Sequence, residues 1–171
     1  MGKFISLILA LFVCFCFLNI IFFYESFNNE DIREFYLTGE LSEGYSSDEV
    51  SHMKDVRTLG MFSLFLNLVL LFVFVKFRKG VDFRKTSTYL FIIFGLLVVF
   101  AFLFDNFFYY FHLVFFGSSG WTFPSSSRLI QDYPFEFFRN RFLFLNFLIL
   151  CSAVVFRGVV FERFSKKPKR N

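Results

Sequence analysis

Histidine occurs at only two of the 171 positions of this chain, His52 and His112. An imidazole titrates near neutral pH, so two of them side by side can take a proton from one group and deliver one to another. Each lies near the end of a long apolar run, which places both at the same level if the runs are helices that cross a membrane. A single histidine at a membrane surface is more often a hydrogen-bonding anchor than a catalyst. The coincidence of two favours chemistry.

Other polar and aromatic residues near the pair are candidates for supporting roles. Carboxylates could orient an imidazole, and guanidinium groups could stabilise a developing oxyanion. Aromatic side chains in these segments are also typical of the belt that anchors a protein at the membrane surface. The candidate supporting residues are Glu49, Asp55, Arg57, Tyr109, Trp121 and Arg128.

The chain has no recognisable motif for metal binding or for a nucleophile of its own. A zinc site normally has three or four His, Cys or carboxylate ligands, and neither HExxH nor CxxC spacing occurs. A serine in a GxSxG turn is missing as well, and the three cysteines lie inside apolar runs, which predicts packing roles. We therefore predict that the substrate supplies the nucleophile. A metal-dependent reaction is the weaker alternative.

The composition excludes a soluble domain. Hydrophobic residues make up 56% of the chain, 34 positions are Phe, and charged residues fall to 19%, against about 25% in ordinary soluble domains. A helix needs about 20 predominantly apolar residues to cross a bilayer. We predict a single all-α integral membrane domain over residues 1–171, with four transmembrane helices at 4–24, 58–77, 86–108 and 141–161.

The distribution of Lys and Arg predicts how the four spans are oriented. If both termini and the inner loop 76–85 share one side, that side has twelve basic and two acidic residues, a net charge of +10. The other side, with outer loops 25–57 and 105–141, has six basic and twelve acidic residues, a net charge of −6. Basic residues are retained in the cytoplasm. We therefore predict a multi-pass cell-membrane protein with cytoplasmic N and C termini and two long extracytoplasmic loops. The basic segment 166–170 fits this orientation and does not indicate nucleic-acid binding.

Short local signals subdivide the two outer loops. Ser46 and Glu49 form a capping-box pattern, which predicts a helix that starts near residue 47 and runs into the second span. Segment 105–116 predicts a continuation of the third helix, which the Gly-Ser-Ser-Gly stretch at 117–120 stops. Residues 125–127 predict a cap for a short helix, and Pro134 opens an amphipathic segment. Both histidines then lie on helices at the outer ends of spans.

Two blocks of the sequence resemble the bacterial lipoprotein intramolecular transacylase (Lit) family. The blocks occur in the order typical of that family and are combined with its four-span layout. The first block is Glu49-x-x-His52-Met53-x-Asp55-Val56-Arg57-x-Leu59. The second is Phe111-His112-x-x-Phe115-Phe116, with downstream Trp121-x-Phe123-Pro124, Ser127-x-Leu129-Ile130 and Tyr133-Pro134-x-x-Phe137.

The resemblance implies an acyl transfer at the outer leaflet of the membrane. Members of the family move the sn-2 acyl chain of a diacylglyceryl-modified N-terminal cysteine to the α-amine of that cysteine, which gives a lyso-form lipoprotein. The amine is the nucleophile, so no nucleophile from the enzyme is needed. The resemblance implies His52 and His112 as the acid–base pair, with Glu49 or Asp55 orienting His52. It also implies a diacylated lipoprotein and membrane lipid as partners, and no cofactor.

Two functions of other classes stay open at this point. A non-catalytic membrane assembly subunit would tolerate replacement of both histidines. A metal-dependent membrane hydrolase would bind stoichiometric zinc and lose activity with a chelator. No feature of the sequence specifies an oligomeric state.

Overall fold

The described part of the chain is built from helices. A computed structural model describes residues 2–28, 30–41 and 44–165, so the basic segment 166–170 lies outside the described residues. The helices are α1 (Gly2–Asn28), α2 (Glu30–Thr38), α3 (Ser47–Phe77), α4 (Phe83–Phe102), α5 (Phe104–Phe116), α6 (Arg128–Asp132) and α7 (Phe135–Ser165), with a short 3-10 turn at Arg78–Gly80. The predicted all-α class is confirmed.

Four helical stretches are long and apolar enough to cross a membrane: Gly2–Tyr24, Ser47–Gly80, Phe83–Phe102 and Phe135–Val159. A helix satisfies its backbone hydrogen bonds internally, which is a requirement in a bilayer without water. Large apolar side chains such as Phe62, Phe65 and Phe72 are exposed on the outside of α3, where lipid would cover them. These features are those of a multi-pass membrane protein.

The interior of the bundle is formed by close contact between α1, α4 and α7. Ala10, Leu90, Ile149 and Ala153 are fully buried there and pack as one cluster. Small side chains allow helices to approach closely in a membrane, and hydroxyl groups then link them. The Ser87 hydroxyl donates to the carbonyl of Ala153 at 2.8 Å, which joins α4 to α7.

The α1–α3 pair is also tightly packed, and its contacts depend on one glycine. A Cβ atom at Gly60 would overlap the ring of Phe22, so this position accepts only a residue without a side chain unless the ring moves. Further down the same pair, Asn67 Nδ2 lies 3.4 Å from Cys16 Sγ. These contacts hold α3 against α1 and fix the orientation of α3 relative to α1.

A second, smaller cluster lies beyond the four spans, at the end of the bundle where α3 begins. Phe35 of α2, Met53 of α3 and Leu129 of α6 are buried against one another. Arg57 fastens α2 to α3, because its Nε donates to the carbonyl of Tyr36 at 2.9 Å. The two predicted outer loops are therefore packed into one structured layer.

The local signals in the outer segments are confirmed. The side chain of Ser46 accepts from the Glu49 N–H, the Glu49 side chain accepts from the Ser46 N–H, and α3 continues from there into its apolar part. Helix α5 ends at Gly117, which has a φ of 79°, a conformation that favours glycine. Ser127 caps α6.

The third helix differs from the expected continuous one. It is interrupted at Leu103, whose φ of −107° and ψ of 33° are not helical. Helix α5 begins after this single residue. The rings of Phe104 and Phe108 in α5 both contact the ring of Phe135, with ring centroids 5.4 Å apart in each pair. Packing of α5 on the start of α7 therefore accounts for a break that no Gly or Pro marks.

Candidate functional site

Helices α3 and α5 bring the two histidines together. His52 lies in the second turn of α3 and His112 near the end of α5, and both side chains are 92% removed from solvent, with relative exposures of 8%. Their ring centroids are 6.0 Å apart and the ring planes differ by 28°. The shared level of the two residues, inferred from the apolar runs, predicts this proximity. The distance allows both imidazoles to reach one reacting group.

The His112 imidazole has a defined tautomer because of its neighbour one helical turn earlier. Nδ1 of His112 lies 2.8 Å from the carbonyl oxygen of Phe108. A carbonyl only accepts hydrogen bonds, so Nδ1 carries the hydrogen and Nε2 keeps its lone pair in the neutral ring. Burial holds the pKa of His112 below its usual value, against the opposing effect of the Phe108 carbonyl. This imidazole is therefore neutral at neutral pH, with Nε2 able to accept a proton.

His52 is surrounded by aromatic rings. Phe116 meets it edge-on with ring centroids 4.8 Å apart, and Phe123 lies at 5.7 Å. Its Nδ1 atom is buried and makes no hydrogen bond to any of the described residues. Buried polar atoms are nearly always paired in folded proteins, and an exception asks for a functional or structural reason. Nδ1 of His52 is therefore an atom to which a bound group could hydrogen-bond.

Trp121 is the sequence-predicted supporting residue in direct contact with a histidine. Its ring centroid lies 5.0 Å from that of His112, and its indole N–H donates to the carbonyl of Gly117 at 2.9 Å. Tyr109 contacts the outer side of Trp121 at 5.7 Å and is half exposed. Tyr109 therefore belongs to the layer behind Trp121.

Glu49 lies one turn before His52 but is directed toward other groups. One carboxylate oxygen accepts the Ser46 N–H at 2.7 Å, and the other accepts the Leu129 N–H of α6 at 2.8 Å. The Ser127 hydroxyl is also a hydrogen-bond partner of this carboxylate. Asp55 lies three residues after His52, and its charge acts on that imidazole without a hydrogen bond to the buried Nδ1.

The described contacts of the two arginines belong to the scaffold. Arg57 donates to the carbonyls of Tyr36 and Leu37 at the end of α2. Arg128 lies 4.5 Å above the ring of Tyr45, and its Nε is 3.5 Å from the Asp132 carboxylate. These contacts of the two guanidinium groups hold outer elements together.

Sequence analysis assigned no role to three aromatic residues that enclose the pair, although Phe116 and Phe123 lie in the second of the two sequence blocks. Phe108, Phe116 and Phe123 all contact one of the imidazoles. With 34 Phe in the chain, the residue type alone carries no signal. Helical spacing does carry one, because Phe108 and Phe116 lie four residues before and after His112 and so share its side of α5.

The described residues do not group metal-binding side chains. Within residues 2–28, 30–41 and 44–165, no three His, Cys, Asp or Glu residues lie close enough to hold a metal ion together. The site is therefore described by two imidazoles, an aromatic enclosure and one buried carboxylate beside it.

Comparison with protein-family models identifies one family. The model of the lipoprotein intramolecular transacylase Lit matches residues 29–138, which is more than half of the chain. The matched part begins before α2 and ends in the first turn of α7, so it contains both histidines and all of the outer layer between them. No curated protein and no solved structure matches the chain.

Proposed function

The chain belongs to the lipoprotein intramolecular transacylase (Lit) family, and on this premise we propose that it acts on a membrane lipoprotein whose N-terminal cysteine carries a diacylglyceryl group. The sn-2 acyl chain moves to the α-amine of the same cysteine, and a lyso-form lipoprotein results. The observation that carries the proposal is the buried pair of histidines, with ring centroids 6.0 Å apart, inside the matched region.

The proposed reaction needs one proton removed and one delivered. The amine nitrogen attacks the sn-2 ester carbonyl, and Nε2 of His112 takes a proton from that nitrogen. The tetrahedral intermediate then collapses, so that the bond between the carbonyl carbon and the glycerol oxygen breaks and an amide forms. The leaving glycerol oxygen receives a proton from the histidine pair, which includes the neighbouring His52. The pair thereby returns to its initial protonation state.

The assignment of His112 as the first base rests on its tautomer. The Phe108 carbonyl holds the hydrogen of His112 at Nδ1, which leaves Nε2 as the accepting atom. A pKa kept low by burial maintains the neutral form that a base requires. Since ester and amine belong to one substrate molecule, proximity contributes a large part of the rate. We assign no arginine to the oxyanion, because Arg57 and Arg128 contact scaffold groups.

We further propose that the site faces the extracytoplasmic side. The histidines lie at the end of the bundle where the acidic outer segments are, to which the sequence assigns a net charge of −6, whereas it assigns +10 to the segments predicted on the other side. Lys and Arg remain on the cytoplasmic side of membrane proteins. Lipid-modified N termini at the outer leaflet would then meet the histidine pair at the membrane surface.

Mass spectrometry of lipoproteins tests the proposal. The chain is expressed in a bacterial strain that lacks its own N-acylating enzymes, with a known member of the family as the positive control. We expect the diacylglyceryl form of a reporter lipoprotein to be converted to an N-acyl lyso form of identical mass, which fragmentation distinguishes. Absence of the N-acyl form where the control produces it would refute the function.

Substitution of the histidines tests the mechanism separately. His52→Gln and His112→Gln should each lower the rate of conversion about 100-fold or more, because a general acid or base contributes that much. Full activity of either variant would exclude the acid–base pair but not the family's reaction. If both variants keep the cellular role of the protein and a partner protein co-purifies with them, a non-catalytic assembly subunit would be favoured. Stoichiometric zinc and inhibition by a chelator would favour a metal-dependent hydrolase.

A further inference from the structure

The segment that covers both histidines is anchored by one buried carboxylate. We call residues 121–133 the covering segment. Its Trp121 contacts His112 at 5.0 Å, and its Phe123 contacts His52 at 5.7 Å. The same segment ends in α6, whose Leu129 N–H donates to Glu49 at 2.8 Å.

Glu49 is built into this position rather than placed at the surface. Its side chain is 97% removed from solvent, with a relative exposure of 3%. A buried carboxylate is tolerated only when its oxygens are hydrogen-bonded. Here one oxygen accepts the Ser46 N–H and the other the Leu129 N–H, and the hydroxyls of Ser46 and Ser127 are further partners. Glu49 thus links the start of α3 to the start of α6, 80 residues later in the chain.

The capping of α3 does not by itself explain these contacts. A capping box requires one carboxylate oxygen, which accepts the N-cap N–H. The second oxygen is engaged by α6, a helix of only five residues. Other contacts also join α6 to the first outer segment. The Tyr45 hydroxyl donates to Asp132 at 2.6 Å in an exposed hydrogen bond, Arg128 lies over the Tyr45 ring, and Leu129 packs on Phe35 and Met53.

We propose that Glu49 is a positioning residue for the reaction. It holds the covering segment on α3, so that Phe123 and Trp121 enclose the two imidazoles and keep them in their relative placement. Glu49 acts through the backbone of α6, to which one of its carboxylate oxygens is hydrogen-bonded. The inference rests on the proposed function for its kinetic consequence, whereas the enclosure of the histidines can be measured without any substrate.

Two matched substitutions separate this role from helix capping. Glu49→Gln keeps the size of the side chain but replaces one accepting oxygen with an NH2 group, which only donates and cannot accept a backbone N–H. Ser46→Ala removes the hydroxyl of the same capping box, which is also a partner of the Glu49 carboxylate, but it keeps the two backbone hydrogen bonds from Ser46 and Leu129. Thermal unfolding of both variants, in the full chain, measures the loss of the cap.

The first measurement is kinetic. The variants are reconstituted in phosphatidylcholine–phosphatidylglycerol vesicles with a synthetic dipalmitoylglyceryl-cysteinyl peptide, and formation of the N-acyl lyso peptide is followed by mass spectrometry. For Glu49→Gln we expect kcat to fall about 10- to 100-fold, because small displacements of reacting groups cost that much, with a smaller change in KM. Ser46→Ala should keep a kcat near that of the unchanged chain.

The second measurement uses no substrate. Diethyl pyrocarbonate modifies neutral, accessible imidazoles, and the chain has only two, which peptide mass spectrometry resolves. Glu49→Gln should accelerate modification of His52 and His112 severalfold, whereas Ser46→Ala should not. A merely structural loss of the helix cap would change the two variants alike.

Three outcomes would overturn the inference. One is equal behaviour of Glu49→Gln and Ser46→Ala in both measurements, which would make Glu49 a helix cap only. Another is a lowered kcat without faster imidazole modification. If Glu49→Gln does not fold, Ser127→Ala is used instead, because it removes a partner of the carboxylate from the α6 side. The third outcome against the inference is an unchanged kcat together with an unchanged rate of imidazole modification in that variant. If the unchanged chain forms no N-acyl product, the proposed function fails, and the modification rates alone decide on the role of Glu49.

Discussion

At the scale of single residues, the surroundings of each side chain decide its chemistry more than its type does. The chain has two imidazoles of identical intrinsic pKa, but the Phe108 carbonyl defines the tautomer of only one of them. Among the carboxylates near the pair, Glu49 is engaged by backbone N–H groups, whereas Asp55 acts on His52 through its charge. In the proposed mechanism, this tautomer is the reason that His112 is assigned as the first base.

The titration of His112 follows from its burial. Because burial lowers its pKa, we expect its midpoint below the usual value of about 6.5, so the neutral form persists into mildly acidic buffer. The unfolded chain then binds the proton more tightly, and protonation of His112 destabilises the fold as the pH falls below about 6.5. Nitrogen-15 NMR of the histidine-labelled chain measures the midpoint, and His52→Gln leaves one signal for its assignment. A midpoint at or above that of a model histidine peptide would contradict the expected lowering of the His112 pKa.

At the scale of elements, α3 connects the membrane part to the site. Its capping box starts it, Arg57 and Met53 attach α2 and α6 to its first turns, and its apolar part packs on α1. The position of His52 therefore depends on how α3 leans against α1. The close contact at Gly60 lies two turns below His52 on this same helix.

A pair of glycine substitutions tests this dependence. Gly60→Ala should lower the free energy of unfolding by about 1–3 kcal/mol, because the added methyl group overlaps the Phe22 ring and overpacking has costs of this size. Gly95→Ala in α4 is the matched control, since nothing lies within 4 Å of a Cβ at that position. Unfolding by denaturant in detergent micelles, followed by circular dichroism, measures both. Equal stabilities of the two variants would refute the α1–α3 contact.

At the scale of the whole molecule, charge and hydrophobicity separate the chain into a lipid-embedded bundle and a structured layer at one of its ends. The α1–α4–α7 interior depends on small and hydroxyl side chains, whereas the layer of α2, α6 and the start of α3 has its own apolar cluster and polar links. The histidines lie where the two parts meet. A substrate with acyl chains in the bilayer and a polar peptide outside it would be bound at this junction.

Cysteine labelling tests the orientation of the molecule. In a variant without the three native cysteines, Ser118→Cys in the linker after α5 should react with a membrane-impermeant maleimide in intact cells. Lys79→Cys, in the turn between α3 and α4, should react only after permeabilisation. The physical reason is the excess of Lys and Arg around that turn. If Lys79→Cys were labelled in intact cells, the orientation would be the opposite of the proposed one.

The sequence by itself determined the class of the fold and the local boundaries of several helices. Long apolar runs must form helices because lipid offers the backbone no hydrogen-bonding partner. Ser46, Glu49, Gly117 and Ser127 act through groups within four residues, so their effects are readable from sequence order. The depth of the two histidines relative to the membrane is also predictable from the sequence. It depends only on the helical rise per residue, counted from the ends of the spans.

Only the tertiary structure decided where the supporting side chains point. Glu49 was expected as one of two candidates to orient His52, but it bonds to a backbone group 80 residues away. The sequence predicts Arg57 as a candidate for the oxyanion, but its guanidinium donates to two carbonyls at the end of α2. The break at Leu103, which no local residue announces, follows from the packing of α5 on α7. Contacts between distant segments depend on how whole helices pack, and short-range spacing carries no information about that packing.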